Sequence, residues 1–306
     1  MKAFRIHGYG AEPAIEDIAL PQPGPEEVRV RVAAAALNPL DVKLQRGYMD
    51  AFFPLGFPYT LGTDLSGTVD ASGAGVSGWK TGERVVARTA PTSGGGIAEF
   101  ALVPANQLVR LPDALSFEQA AGLPTAAGTA WQALFEVAKL KPGQTVLIHA
   151  GAGGVGSFAI QLARQAGARV IATASGDGIA IAERLGADVV IDYRNEDFVR
   201  RASDIDVVLD TIGGDTQARS LGVLRAGGFL ASTTAPPDEA LAKAHGAEAA
   251  FVFHGSDADR LAGLVEKAVG GIETLIDRVL PLDKADQAFD CQASGRARGK
   301  IIVSLE

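Results

Sequence analysis

Positions 28–32, Val28-Arg29-Val30-Arg31-Val32, alternate apolar and charged side chains with a period of two. That is the pattern of a strand with one buried face. Val69, Val85-Val86-Ala87 and Glu99-Phe100-Ala101-Leu102-Val103 add short apolar runs bounded by Gly, Pro and Ser. Up to about Leu111 the chain therefore reads as β-rich, with the spacing of a small barrel or rolled sheet. From Ser116 the pattern changes. Ser116 with Gln119 three residues on predicts a capping box. Strands then alternate with helices over 145–150, 157–165, 169–174, 179–185, 189–191, 207–212, 216–224 and 229–233, with a further strand at 249–253. Such alternation predicts a doubly wound parallel sheet. A helix over 259–269 follows, then strands at 275–280 and 299–305 with a helix at 284–293 between them. This last part either extends the parallel sheet or returns to the first half.

The strongest local signal is His149-Ala150-Gly151-Ala152-Gly153-Gly154-Val155-Gly156, set between a buried strand and an amphipathic helix. Gly151, Gly153 and Gly156 fit the G-x-G-x-x-G fingerprint of a dinucleotide site. A side chain there would hold a pyrophosphate away from the N–H groups at the helix N-terminus. Gly151, Ala152, Gly153, Gly154 and Val155 are accordingly cofactor-binding candidates. Counting on from Gly156 places Ser175 at the end of the second strand, where the adenosine ribose is read. An aspartate there would repel a 2′-phosphate by roughly 4 kcal/mol at ~4 Å and an effective dielectric of ~20. A serine can donate to that phosphate instead, and Arg194 can contribute charge. This favours NADPH. Asp177, two residues on, is either a solvated turn residue or a charge that admits NADH. Thr211-Ile212 and Ser232-Thr233 end successive strands and should border the cofactor.

Composition adds boundaries. The chain has 306 residues, 47% hydrophobic and 21% charged, which suits a two-domain globular enzyme. A formal net charge of -8 argues against long-range attraction to nucleic acid. The first residues lack the apolar run of a signal peptide, and no long uncharged apolar window predicts a membrane span. The cytoplasm is the expected compartment. One cysteine, Cys291, excludes an internal disulfide and a multi-cysteine metal site. The four histidines have no ligand spacing, and His149 reads as a core or backbone-bonded imidazole. There is no G-x-S-x-G elbow. Gly295-Arg296-Ala297-Arg298-Gly299-Lys300 is one residue short of a P-loop and has Ile301 where Ser or Thr is needed.

Further landmarks run almost the length of the chain. They include Leu37-Asn38-Pro39-Leu40-Asp41-Val42-Lys43, Leu61-Gly62-Thr63-Asp64-Leu65-Ser66-Gly67, Gly82-Glu83-Arg84-Val85 and Gly95-Gly96-Ile97-Ala98-Glu99-Phe100. Gly128-Thr129-Ala130-Trp131, Lys141-Pro142-Gly143, Gly186-Ala187-Asp188-Val189 and Gly299-Lys300-Ile301-Ile302-Val303 follow in order. In these the chain resembles the zinc-free quinone oxidoreductase, or zeta-crystallin-like, branch of the medium-chain dehydrogenase/reductase superfamily. The resemblance implies an α/β protein: a GroES-like catalytic domain over 1–115 and 256–306, and a Rossmann NADP-binding domain over 116–255, with the active site in the cleft. It implies Thr129 beside the nicotinamide, Tyr193 as a second adenosine contact and Phe253 among the cofactor residues. It also implies a homodimer or homotetramer, with 251–253 either a junction strand or an interior one.

The related zinc enzymes need a cysteine and a histidine where this chain has Asn38 and Thr63, so no zinc is expected. Without a Lewis acid an isolated ketone is a poor acceptor, whereas a quinone or conjugated carbonyl delocalises the incoming charge. The expected reaction is hydride transfer from NADPH to such a small molecule. The catalytic candidates are Asn38, Lys43 and Tyr48: Asn38 toward a substrate carbonyl or the ribose, the other two as oxyanion stabilisers or proton donors. Asp41 and Asp64 read as structural. Phe52, Phe53, Phe57 and Tyr59 form either an apolar wall for a flat substrate or a small core. The alternatives are an enone or alkenal reductase and a non-catalytic NADPH-binding protein.

Overall fold

A computed structural model describes residues 1–305. The chain divides into two compact units, residues 1–125 with 256–306, and residues 126–255.

In the first unit the alternating segment becomes the strand Glu27–Leu37, the longest of the chain. It is the centre of a seven-stranded sheet. On one side it pairs antiparallel with Asp64–Ser72, which pairs with Arg84–Arg88 and then Val109–Arg110. Phe100–Pro104 pairs with its first half and Lys300–Ser304 with its last. Ile276–Pro281 lies parallel to Lys300–Ser304 at the sheet's end. The C-terminal strands thus return to the first unit. A small sheet, Ala14–Asp17, Lys2–Ile6 and Tyr59–Thr60, completes it. One apolar core, including Phe4, Val30, Leu37, Leu65, Val85, Phe289 and Ile301, fills the interior.

The domain boundary expected after Leu115 lies ten residues too early. Ser116 does cap a helix, Phe117–Ala121, with Gln119 as its reciprocal partner. That helix packs on the strands Glu27–Leu37 and Asp64–Ser72, where Ala121 joins Ala34, Ala36 and Ile302. Ser66 Oγ also donates to Phe117 O at 2.6 Å. Burial of this face keeps the segment with the first unit.

The second unit carries a six-stranded sheet, all parallel. Its spatial order is Val189–Asp192, Arg169–Ala174, Thr145–Ile148, Ile205–Asp210, Leu224–Ser232, Glu248–Phe251. The chain starts in the middle, winds outward to one side, and then crosses to the other. That is the 3-2-1-4-5-6 order of a dinucleotide-binding fold, with its switch point between Thr145–Ile148 and Ile205–Asp210. The central strands read as near-continuous apolar runs because both faces are buried. Glu248–Phe251 is an edge strand, so the interior alternative for 251–253 does not hold. Among the described residues no helix is long and apolar enough to cross a membrane.

Candidate functional site

At the switch point of the second unit, the strand Thr145–Ile148 runs into the glycine turn. The helix Gly154–Gln165 leaves it, with Gly153 at the N-cap. Ala150 turns the chain with φ +50°, and Gly151 N donates to Thr173 O at 2.8 Å. The turn is tight. A Cβ on Gly156 would stand 2.2 Å from Ala150 O, and one on Gly151 2.9 Å from the Ala172 Cβ. The first-turn N–H groups of the helix, from Gly154 on, have no acceptor within it and point out of its end. This cradle fits a pyrophosphate, with the positive end of the helix dipole toward the anion.

Ser175 follows the second strand, and its Oγ donates to the Tyr193 hydroxyl at 2.9 Å. Tyr193 is 55% exposed, and Arg194 beside it is exposed. Asp177 caps the next helix by position without a side-chain cap bond, and a Cβ on Gly178 would lie 3.2 Å from that of Ala152. The loop 175–178 therefore sits against the glycine turn.

On the other side of the switch point the strand ends are tied together. Asp210 is fully buried. One of its oxygens accepts from Ile212 N and Gly213 N, both at 2.9 Å. The other accepts from Ser232 Oγ at 3.1 Å and Gln217 Nε2 at 3.0 Å. Thr233 N donates to Asp210 O at 2.9 Å, and Thr211 Oγ1 to His149 O at 2.8 Å. Thr211, Ser232 and Thr233 thus stand at the expected sheet edge, but their hydroxyls hold that edge in shape. Ile212 remains 52% exposed there, and Thr234 Oγ1 is buried with no hydrogen-bond partner. Thr129 is buried in the helix Pro124–Trp131, and Phe253 is 45% exposed just past the edge strand. Asp210 and Gln217 were not found by sequence reasoning. An aspartate closing the apolar run Val207-Val208-Leu209 was the available signal for the first.

His149 is a core residue. Its Nε2 lies 2.8 Å from Ser220 Oγ, which itself donates to Thr216 O at 2.6 Å. The imidazole must therefore donate from Nε2, and Nδ1 accepts from Thr173 Oγ1 at 3.2 Å. Burial pushes its pKa down to about 4.

In the first unit, Asn38 precedes the helix Pro39–Gln45, in which Pro39 fits the first turn and Asp41 Oδ2 accepts from Asn38 N at 2.7 Å. Asn38, expected toward a substrate carbonyl or the ribose, has its side chain held within the unit. The side chain is 2% exposed. Its Nδ2 donates to Asp64 Oδ2 at 3.1 Å, and its Oδ1 accepts from Lys300 Nζ at 2.5 Å. Both ends of the amide are engaged inside the unit.

Asp64 also accepts from Thr125 N at 3.0 Å and Thr125 Oγ1 at 2.6 Å. Arg88 Nε lies 3.9 Å from Asp64 Oδ1 and donates to Thr125 Oγ1, while its NH1 donates to Ser256 Oγ. Two carboxylates and two cations thus share one buried cluster. Burial lowers the pKa of both Lys300 and Arg88, opposed by the nearby carboxylates Asp64 and Asp41. Burial pushes the Asp41 carboxyl up to about 7. The structural reading of Asp41 and Asp64 agrees with these contacts. Lys300 was missed. Its signal was a lone lysine opening the apolar run Ile301-Ile302-Val303.

Lys43 is half-buried, and Tyr48 is 70% exposed. Tyr48 N donates to Lys43 O at 2.9 Å, which sets the two side chains on one turn. Tyr59 is buried with its hydroxyl donating to Pro91 O at 2.7 Å, so it is a core residue and not part of an outer wall.

The glycine cradle, the strand order and the seven-stranded sheet can now be set beside known proteins. Residues 24–113 match the model of the alcohol dehydrogenase GroES-like domain, and residues 185–303 that of a zinc-binding dehydrogenase. A chloroplast envelope quinone oxidoreductase homolog of Arabidopsis thaliana is 33% identical over 99% of this chain and 98% of its own length. The chain belongs to the quinone oxidoreductase branch of the medium-chain dehydrogenase/reductase superfamily. Its two units are the GroES-like and Rossmann-like parts of that family. The quinone oxidoreductase of Coxiella burnetii superposes with a TM-score of 0.93 at 32% identity, covering 100% of this chain and 99% of that one. The Escherichia coli quinone oxidoreductase, complexed with NADPH, gives 0.90 at 26% identity, with both chains covered completely. The protein is an oxidoreductase of the medium-chain type, and its switch-point cradle is that of a nicotinamide-cofactor enzyme.

Proposed function

We propose that this chain is a zinc-independent reductase that uses NADPH to reduce a quinone or a similar electron-poor conjugated carbonyl. The observation that carries the reading is the Lys300 ammonium, 2.5 Å from Asn38 Oδ1. The first unit holds a cation of its own at the segment where the zinc enzymes of the superfamily have a metal ligand. A dication beside this ammonium would meet direct repulsion, and an amide is a weak zinc donor compared with thiolate or imidazole. Electron-poor acceptors need no Lewis acid, because their own conjugation takes up the charge.

A bound reduced nicotinamide supplies the hydride. The helix N-terminus at Gly154 binds the pyrophosphate, and the tied strand ends at Asp210 hold the opposite wall in place. Ser175 and Tyr193 present a pair of hydroxyls 2.9 Å apart where NAD enzymes carry a carboxylate, and Arg194 adds positive charge. This supports NADPH over NADH, with Asp177 acting against it. Lys43 and Tyr48 are the donors able to stabilise a developing oxyanion.

The decisive assay is cofactor oxidation at 340 nm with 1,4-benzoquinone, 9,10-phenanthrenequinone and an alkenal in parallel, with and without chelator, beside a protein-free control. Turnover with NADPH and a quinone, unchanged by chelator and without bound zinc by mass spectrometry, is expected. A preference for the alkenal would move the assignment to enone reduction. Loss of activity with chelator, restored by zinc, would sink the zinc-independent reading.

A further inference from the structure

Among the described residues, six aromatic side chains stand among the exposed large apolar ones, and four of them belong to Tyr9 and the segment 46–57: Tyr9, Tyr48, Phe52 and Phe57. The segment has two faces. Met49, Phe53 and Leu55 pack against the core of the first unit. Tyr48 and Phe52 point outward, 70% and 66% exposed. Local hydrogen bonds make it a single turn, with Phe53 N donating to Met49 O at 2.7 Å. One residue from outside the segment braces that turn as well.

That residue is Tyr9. It lies far away in sequence and reaches the segment at four points. Its hydroxyl donates to Asp50 Oδ1 at 2.5 Å and accepts from Leu55 N at 2.9 Å. Its ring meets Phe57 edge to face, with centroids 4.9 Å apart. A Cβ on Gly47 would stand 3.1 Å from its Cγ. Gln45 anchors the neighbouring loop in turn, through Nε2 to Ala11 O at 2.8 Å. One phenol thus spans both ends of the segment and ties down the only carboxylate within it.

We propose that Tyr9 is a positioning residue that fixes the outward aromatic face of 46–57 as the binding surface for a planar, electron-poor acceptor. The inference rests on the quinone reading above and deepens it. Aromatic faces carry negative potential and stack in offset fashion on flat rings, the more so on electron-poor ones. An acceptor that gains electrons is repelled by a loose anion, and the Tyr9 hydroxyl holds Asp50 in a charge-assisted hydrogen bond. Fixing the segment in advance removes ordering cost from binding.

The test uses the full chain with Tyr9→Phe, Asp50→Ala, Asp50→Asn and the Tyr9→Phe/Asp50→Ala double variant. KM and kcat are measured for 9,10-phenanthrenequinone and 1,4-benzoquinone at saturating NADPH, with NADPH affinity by fluorescence titration. Limited chymotrypsin digestion at 48–53 reads the segment without any turnover. Loss of one or two hydrogen bonds predicts a KM for phenanthrenequinone raised about five- to tenfold. The smaller quinone should shift less, kcat should stay within about twofold, and NADPH affinity should not move. Asp50→Ala should match Tyr9→Phe, the double variant should add little, and Asp50→Asn, which can still accept from the phenol, should restore near wild-type KM. Digestion should accelerate in the variants with raised KM only. Unchanged KM and digestion in Tyr9→Phe overturns the proposal, as does a parallel loss of kcat and melting temperature with both quinones. If the wild-type chain reduces no quinone, the acceptor surface falls together with the proposed function; faster digestion of Tyr9→Phe would then show a purely structural brace.

Discussion

Asp41 carries a carboxyl with no exposed surface, one oxygen bonded to Asn38 N and the other without a partner. Ionising it inside the cluster is opposed first by burial and then by Asp64, which outweigh Lys300 and Arg88 and leave its pKa near 7. The folded state therefore binds this proton more tightly than the unfolded chain does. The stabilisation is complete below the unfolded value near 3.8 and disappears as pH rises through about 7. Asp41→Asn, which keeps the shape and stays neutral, should match the wild type in melting temperature at pH 4 and gain on it steadily toward pH 8. A gain that is the same at every pH would contradict this. His149 titrates in the other sense. Its pKa, lowered to about 4, makes it neutral in the fold, so its contribution is present above about 6.5 and is lost as pH falls through 4. His149→Gln should accordingly cost most above pH 6.5 and least near pH 4 by thermal melting. Lys300→Met removes the positive partner of Asn38 and leaves Asp64 and Asp41 with less compensation. Breaking a buried pair in this way costs about 3–5 kcal/mol, read by urea unfolding.

At the level of elements, legibility followed periodicity and range. Arg169–Ala174 emerged from sequence with the same ends that the fold gives it, because an apolar run bounded by Gly167 and Gly176 leaves no other reading. The glycine turn was legible because steric demand leaves a mark on composition: Gly156 meets Ala150 O, and no other residue fits. Gly156→Ala should therefore weaken binding of the nicotinamide cofactor and destabilise the protein by about 1–3 kcal/mol, the usual range for overpacking, as read by titration and denaturant melts. Gly153→Ala, whose Cβ would have 3.2 Å to the same oxygen, should cost less. Other elements were silent. Pro124–Trp131 is a helix, but its run of Ala, Gly and Thr is buried almost throughout and has no polar face to set a period. Tyr59–Thr60 is a two-residue strand, too short for any pattern. The contacts that hold Asn38 were silent for a different reason. Its partners Asp64 and Lys300 lie 26 and 262 residues away, and only the fold brings them together.

For the whole molecule, the first unit is discontinuous: the sheet begun by residues 1–125 is finished by 256–306. Lys300–Ser304 is not an addition to its rim. It lies between Glu27–Leu37 and Ile276–Pro281, and Lys300 Nζ also donates to Leu37 O at 2.9 Å. Removing residues after Ser294 should therefore unfold the first unit rather than trim it, visible as loss of its cooperative transition in calorimetry while the nicotinamide cofactor still protects the second unit from digestion.

This ordering in space has a counterpart in time. A ribosome releases Glu27–Leu37 long before it makes the strand that covers Ala34–Leu37. At about 5–20 residues per second, the rest of the chain takes about 13–53 s to appear. Throughout that interval a nascent apolar edge, Ala33-Ala34-Ala35-Ala36-Leu37, is open to any passing β-strand. Small alanine side chains offer such a strand little to grip. The same choice that lets the last strand slide home also shields the unfinished protein from its neighbours.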